Sequence, residues 1–322
     1  IMWGDMFFRL ISGGTYYVDD LQVSDEIKKK IPANVNLIYW DYYSTDQQHY
    51  ENQIRSHRAI KENIWFAGGL WMWSGFAPHN SYAITATTAA LAACRKHGVQ
   101  DVFLTMWGDD GAECSKFAML PSLYFAAEAA RGNKDMQSIK DGFRGMFGMD
   151  FDTYMLLDLP GTPNESSTWC PNADKYMLYN DCLAGVMDTT VRADAAPGFA
   201  ACAEKLAAVG KTSEYGYLFE TMQKLCELLA VKADIGKRTR SAYQQKDMAA
   251  IRALIDEYSR LTELTDAFYY AFRRQWMKEN KPQGFDVQDI RIGALLLRLR
   301  HCRERLEDYA AGRISTIEEL EG

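Results

Sequence analysis

The chain has 322 residues, 48% of them hydrophobic, and a formal net charge of −7. That length is enough to bury a sizeable core and fits two domains, while the acidic balance lacks the basic footprint that nucleic acid binding needs. No apolar run reaches membrane length, and the start has no basic segment ahead of a long apolar core, so neither a membrane span nor a signal peptide is expected.

Ile1-Met2-Trp3-Gly4-Asp5 reads as a strand running into a polar end. Ile1 opens directly in that strand without an initiator Met, so an upstream part, cut away or absent, is expected. After Gly13-Gly14 and an excursion through Tyr16, Tyr17 and Val18, a helix is predicted from the N-cap Ser24 to Ile31. The second strand is Val35 to Trp40. Thr45-Asp46-Gln47-Gln48 then has the form of a capping box and opens a helix to about Glu62. The third strand, Ile64 to Trp71, contains Gly68-Gly69, which marks a bulge or a close approach of another backbone or ligand. A loop at Phe76–Asn80 leads to an Ala/Thr-rich helix from Tyr82 to His97, stopped by Gly98. Val102, Phe103 and Leu104 form a short apolar run of the kind buried on both faces of a parallel sheet. A helix from Ser115 to Arg131, stopped by Gly132-Asn133, completes the fourth strand–helix unit.

Beyond Asn133 the pattern becomes helical almost throughout. Segments are predicted at Met136–Gly148 and Phe151–Leu157, then a polar loop through Pro160, Pro163 and Ser166-Ser167. Longer helices follow at Ala173–Met187, Pro197–Ala208, Glu214–Thr239, Lys246–Lys278 and Val287–Ala311. Leu254, Tyr258, Leu261, Leu264, Phe268 and Phe272 recur at three- and four-residue steps, the apolar stripe of a packed helix. The expected organisation is a strand–helix domain over residues 1–133 and an α-helical domain over residues 134–322.

The tryptophans Trp3, Trp40, Trp73 and Trp107 are spaced by 37, 33 and 34 residues, about one strand–helix unit each. Strands that place aromatics at their C-terminal ends are the arrangement of half a β/α barrel, where active sites collect on that face. A Trp offers a flat apolar face to the C–H side of a pyranose, and carboxylates accept from its hydroxyls. A single Trp in a strand is ordinarily core; four in register, each beside an acid, a Tyr or a second Trp, point to a carbohydrate subsite. Asp5, Asp41 and Asp109 each follow a Trp by one or two residues, and Asp109, after Trp107-Gly108, is the foremost candidate for gripping a sugar hydroxyl. An acid at a strand end also serves as a helix cap, and Asp110 or Glu113 fits that role ahead of Ser115. Tyr42 and Tyr43 supply phenol donors able to stabilise a polarised oxygen, one of the two facing the site.

Of the histidines, His49, His57, His97 and His301 fall on predicted helices as surface or packing residues, and His79 lies in a loop at the expected mouth of the site. The seven cysteines, Cys94, Cys114, Cys170, Cys182, Cys202, Cys226 and Cys302, are odd in number and never spaced as CxxC. They suit a reducing, cytoplasmic compartment better than a disulfide scaffold or a zinc site. HExxH, GxSxG and phosphate-cradling glycine loops are absent, and no metal or cofactor is expected.

With these residues in hand, the chain resembles glycoside hydrolase family 20, the exo-β-N-acetylhexosaminidases. Ile1-Met2-Trp3-Gly4-Asp5-Met6-Phe7 is similar to the family's fifth barrel strand, Leu37-Ile38-Tyr39-Trp40 to its sixth, and Trp107-Gly108-Asp109 to the Trp-Gly-Glu of its eighth. The seventh strand of the family carries Tyr-x-Asp, where this chain has Trp71-Met72-Trp73-Ser74, so the resemblance leaves the acetamido-holding role to Tyr42 or Tyr43. Arg274-Gln275-Trp276-Met277-Lys278-Glu279-Asn280-Lys281-Pro282 and Phe285-Asp286-Val287-Gln288-Asp289-Ile290-Arg291 look like the C-terminal helical domain of a bacterial branch.

The resemblance implies a partial (β/α)8 (TIM) barrel, strands five to eight, followed by an α-helical domain. It also implies removal of terminal β-linked N-acetylglucosamine or N-acetylgalactosamine from glycans by substrate-assisted retaining catalysis, an exception to the two-carboxylate scheme. Trp3, Trp40, Trp73 and Trp107 would line the pocket, with Asp109, Asp5 and Asp41 on substrate hydroxyls. The family's Asp-Glu acid pair belongs to the fourth strand, upstream of Ile1, and neither Asp25-Glu26 nor Asp256-Glu257 is placed to replace it. The half-barrel is therefore expected to pair with a missing first half or with another copy of itself. Two other readings differ in class: a non-catalytic carbohydrate-binding or structural fragment, and a different barrel glycosidase using Asp5, Asp41 or Asp109 as its own acids.

Overall fold

The computed structural model describes residues 1–163, 173–209 and 213–321. Cys170 and the Ser166-Ser167 part of the predicted polar loop lie outside the described residues. The chain forms two compact units. The first holds Ile1–Trp71, His79–Trp107 and Met119–Phe151; the second holds Met72–Pro78, Gly108–Ala118 and Asp152–Gly322.

In the first unit four strands, β1 (Met2–Trp3), β2 (Leu37–Trp40), β3 (Ile64–Gly69) and β4 (Val102–Thr105), pair in sequence order and all in parallel. The expected partial (β/α) barrel followed by a helical domain is the observed architecture. Leu37, Ile38 and Tyr39 of β2 and Ile64, Phe66 and Ala67 of β3 are buried, as apolar strands covered on both faces must be. Gly68 is where β4 comes close: a Cβ there would stand 2.7 Å from Leu104 Cδ2, so the glycine pair marks a close approach. The outer strands differ. Both residues of β1 are exposed, and β4 is half-exposed along its whole length despite its apolar sequence.

Connecting helices follow each strand: α1 (Asp5–Ile11) and α2 (Asp25–Lys30), α3 (Gln47–Ile60), α4 (Asn80–Lys96), then α5 (Leu120–Ala130) and α6 (Met136–Phe147). Ser24 caps α2 as predicted, its Oγ accepting from the Ile27 amide. The cap of α3 is Asp46 rather than Thr45, its carboxylate accepting from the Gln48 amide at 2.9 Å. Gly98, Gly132 and Gly148 end their helices with positive φ. Tyr39, Tyr50, Ile54, Phe66, Ala90 and Ala93 form the core between sheet and helices.

The chain passes through α7 (Phe151–Met155) into the second unit, whose helices are α8 (Ala173–Tyr179), α9 (Ala195–Ala207), α10 (Gly216–Gln244), α11 (Met248–Glu279) and α12 (Asp286–Ala310). The helix predicted to reach Met187 stops at Tyr179. Asp181 accepts from the Leu183 and Ala184 amides and Gly185 takes a φ of +60°, a turn that competes with the helix. Helix α9 packs on α10, α10 on α11 and α11 on α12. The α11 stripe is buried at Leu254, Tyr258, Leu261, Phe268 and Phe272. Leu264 is half-exposed, and Thr265 is buried instead, its hydroxyl satisfied by the Leu261 carbonyl at 2.7 Å. Phe268 and Phe272 stack on each other, and both meet Phe76 edge-on at 5.3 and 5.4 Å. Phe272→Ala should therefore lower unfolding stability by about 3–5 kcal/mol, whereas truncating half-exposed Leu264 should cost clearly less. Urea unfolding of the two variants checks the difference.

Candidate functional site

Because the sheet is parallel, every strand delivers its C-terminal end to the same edge, and a set of aromatic residues of the first unit collects there. Trp3, at the end of β1, lies 6.2 Å from Trp107, which follows β4. The Trp107 indole N–H donates to Tyr42 Oη at 3.2 Å, and the Tyr42 ring lies 5.1 Å from Trp40 at the end of β2. Trp40 in turn meets Tyr16 edge-on at 5.9 Å. Residues from three strands thus form one continuous aromatic band. Trp71, after β3, donates from its indole to the Tyr42 carbonyl at 2.7 Å and lies edge-on to Tyr43.

The band has an exposed side and a buried one. Trp3 and Trp107 are 37% and 40% exposed and Tyr43 is 50% exposed, whereas Tyr42 is only 5% exposed. Burial raises the pKa of the Tyr42 phenol, against the lowering effect of hydrogen bonds from Thr105 and Trp107. An oxygen that accepts such bonds polarises its own O–H and becomes the stronger donor.

Asp41 works beneath the band. It is 1% exposed, with Oδ2 accepting from Tyr39 Oη at 3.0 Å and lying 2.7 Å from His49 Nε2, while Oδ1 accepts from the Tyr43 amide at 2.9 Å. Its carboxylate thereby anchors the 41–43 turn. The bond to Asp41 raises the His49 pKa, with burial opposing it. Burial, helped by the Asp41 charge, raises the phenols of Tyr17 and Tyr39. A cavity of about 370 Å³ opens beside this cluster, lined by Tyr17, Asp41, Tyr43, Ser44, Asp46 and His49. The sequence pattern does not single out Tyr17 or His49; the one available signal was a His in the first turns of the helix that follows a strand-end Asp.

The remaining predicted residues are distributed as follows. Asp5 is the first residue of α1 and half-buried. Trp73 and Asp109 belong to the second unit, Trp73 half-buried and Asp109 exposed at the start of a single 3-10 turn over Asp109–Gly111. His79 is nearly buried among Trp71 and Tyr82, and burial pushes its pKa down to about 4. His57 is a packing residue, stacked on Phe8 at 4.5 Å and also pushed down to about 4 by burial. Among the described residues no group of three or more His, Cys, Asp or Glu side chains could hold a metal ion, and no helix is long and apolar enough to cross a membrane.

His57 and His79 have folded pKa values below the unfolded value of 6.5, so between about pH 4 and 6.5 the unfolded chain binds more protons. Their contribution to stability is complete above pH 6.5 and is lost as pH falls through that window. Urea midpoints measured from pH 7 to pH 4 should fall, and the slope should be shallower in His57→Gln than in the wild type.

Comparison with known protein families matches residues 152–322 to the Glycoside Hydrolase 20C C-terminal domain. A search of curated proteins finds no match. The matched residues span more than half of the chain and coincide with the helices of the second unit that follow the parallel sheet. The chain therefore belongs to the glycoside hydrolase 20C family, carrying its C-terminal helical domain behind four strand–helix units of a partial barrel.

Proposed function

We propose that the chain is part of an exo-β-N-acetylhexosaminidase that hydrolyses terminal β-linked N-acetylglucosamine or N-acetylgalactosamine by substrate-assisted retaining catalysis. The observation that carries this reading is the aromatic band of Trp3, Trp107, Tyr42 and Trp40 at the C-terminal edge of the sheet. Exposed indoles on that edge suit the apolar face of a pyranose, and water excluded beneath the ring strengthens nearby hydrogen bonds. Tyr42 takes the acetamido-polarising role in this proposal, since its oxygen is held by the Trp107 indole and its hydroxyl is strengthened as a donor. Tyr43 serves as a more exposed wall. Asp41 orients the turn that carries both tyrosines, and Asp5, two residues after Trp3, is a further polar contact in this proposal. Asp109 keeps the role that the likeness of Trp107-Gly108-Asp109 to the family's Trp-Gly-Glu implies, an acceptor for outer hydroxyls, and Trp73, where the family pattern is not matched, is proposed as a pocket wall on its residue type alone.

The Asp-Glu acid pair is proposed to come from the preceding half of the barrel. Neither adjacent pair in this chain stands at a strand end: Asp25-Glu26 opens α2, and Glu257 of α11 is paired with Arg238 at 2.6 Å. That same observation favours a second reading for the chain acting alone, a non-catalytic carbohydrate-binding fragment with the same aromatic wall. A pH–rate profile on the chain alone separates these from a glycosidase using its own aspartates.

With the preceding half supplied, turnover of an aryl β-N-acetylglucosaminide should fall about 10²–10³-fold in kcat for Tyr42→Phe, as when one oxyanion donor is removed. Trp107→Ala should raise KM by roughly 10-fold or more, the equivalent of about 1.4 kcal/mol of lost apolar contact. If both variants kept wild-type turnover and affinity, this site assignment would fail. The exposed outer strands supply a separate expectation. In solution the chain should pair with the preceding half-barrel or with a second copy of itself, and a sedimentation mass of a stable lone monomer would count against that.

A further inference from the structure

The segment just after Asp109 has an uncommon backbone. Asp110 and Ala112 take φ values of +52° and +51°, and Gly111 between them takes +115°. Two non-glycine positions in left-handed space, one on either side of a glycine, persist only where surrounding structure fixes them. Here the fixing groups are identifiable, and all belong to the second unit.

Glu113, whose side chain is 2% exposed, meets Lys175 Nζ of α8 and Arg291 Nη1 of α12, each at 2.8 Å. The same two cations reach back to Asp110. Lys175 donates to its carbonyl at 3.0 Å and pairs with its carboxylate at 3.0 Å; Arg291 donates to that carbonyl at 2.6 Å and to the carboxylate at 2.9 Å. Gln288, one turn before Arg291, donates to the Gly111 carbonyl at 3.0 Å. A Cβ on Gly111 would stand 2.5 Å from Arg291 Nη1 and 2.8 Å from Glu113 Oε1, so the clamp closes directly on the glycine backbone. Neither Asp110 nor Glu113 caps the following helical turn. Ser115 does so, accepting from the Phe117 amide at 3.1 Å. A buried carboxylate with two cations is costly to assemble for stability alone, and its best-attested use is to specify one arrangement.

We propose that Glu113, Lys175 and Arg291 are positioning residues for Asp109. The helical domain, through this clamp, holds the strained turn that presents the hydroxyl-gripping carboxylate. The inference rests on the sugar-site role proposed for Asp109 and adds how that carboxylate is held. Arg291 touches neither Asp109 nor substrate in this account, so its effect must pass through the loop.

The test is a double-mutant cycle on kcat/KM for an aryl β-N-acetylglucosaminide with the preceding half-barrel supplied, joined to hydrogen exchange of the 110–113 amides. Arg291→Gln should speed exchange of those amides at least tenfold and lower kcat/KM at least tenfold. In an Asp109→Asn background the same change should lower kcat/KM less than twofold, and Arg291→Lys should recover part of the loss. Equal losses in the two backgrounds, or unchanged loop exchange, would overturn the positioning role while leaving the sugar site intact. If Asp109→Asn alone has no effect on kcat/KM, the role proposed for Asp109 fails and the inference with it, whatever the exchange data show.

Discussion

Parallel pairing is the constraint from which the rest of this protein follows. In a parallel sheet every strand runs the same way, so residues that follow the strands meet at one edge however far apart they lie in sequence. Trp3, Trp40, Tyr42 and Trp107 are brought to one edge by that geometry. The same pairing demands a helix after each strand to cover the faces, and the buried sequences of β2 and β3 are the price. The outer strands β1 and β4 keep apolar residues partly exposed.

Charge burial organises what lies around that edge. Asp41 is almost fully enclosed, and its two oxygens are divided among a phenol, an imidazole and a backbone amide. Carboxylates buried in this way are retained where satisfied hydrogen bonds fix a local conformation. The conformation fixed here is the 41–43 turn, and with it the two tyrosines. Glu113 repeats the principle in the second unit, with cations in place of a phenol and an imidazole. Two buried acids thus hold two turns, one directly after Trp40 and one a few residues after Trp107 in the sequence.

The helical unit is more than an appended bundle. It includes Met72–Pro78 and Gly108–Ala118, short segments that follow β3 and β4 in the chain. Phe76 packs on Phe268 and Phe272, and Asp174 accepts from the Phe76 and Ala77 amides at 2.8 and 3.0 Å. Those contacts fix the Met72–Pro78 segment within the second unit.

Local chemistry in the sequence determined the strands, most helix limits and the class of fold. Apolar runs of four residues bounded by Trp and Gly, caps such as Ser24 and stop glycines such as Gly98 act within a few residues, so they are legible without the fold. The even spacing of the indoles likewise announced repeated strand–helix units, and three of the four lie in one compact unit. Only the tertiary structure decided that Tyr42 meets Trp40 and Trp107 while Tyr43 meets Trp71, because two adjacent side chains on a turn are equivalent until partners from other strand ends reach them. It also decided that His49 serves Asp41, that Thr265 displaces Leu264 from the core, and that Glu113 meets Lys175 and Arg291. Those pairings join residues from 8 to 178 positions apart. Local propensity carries no information across such distances; packing and the need to neutralise a buried charge supply it.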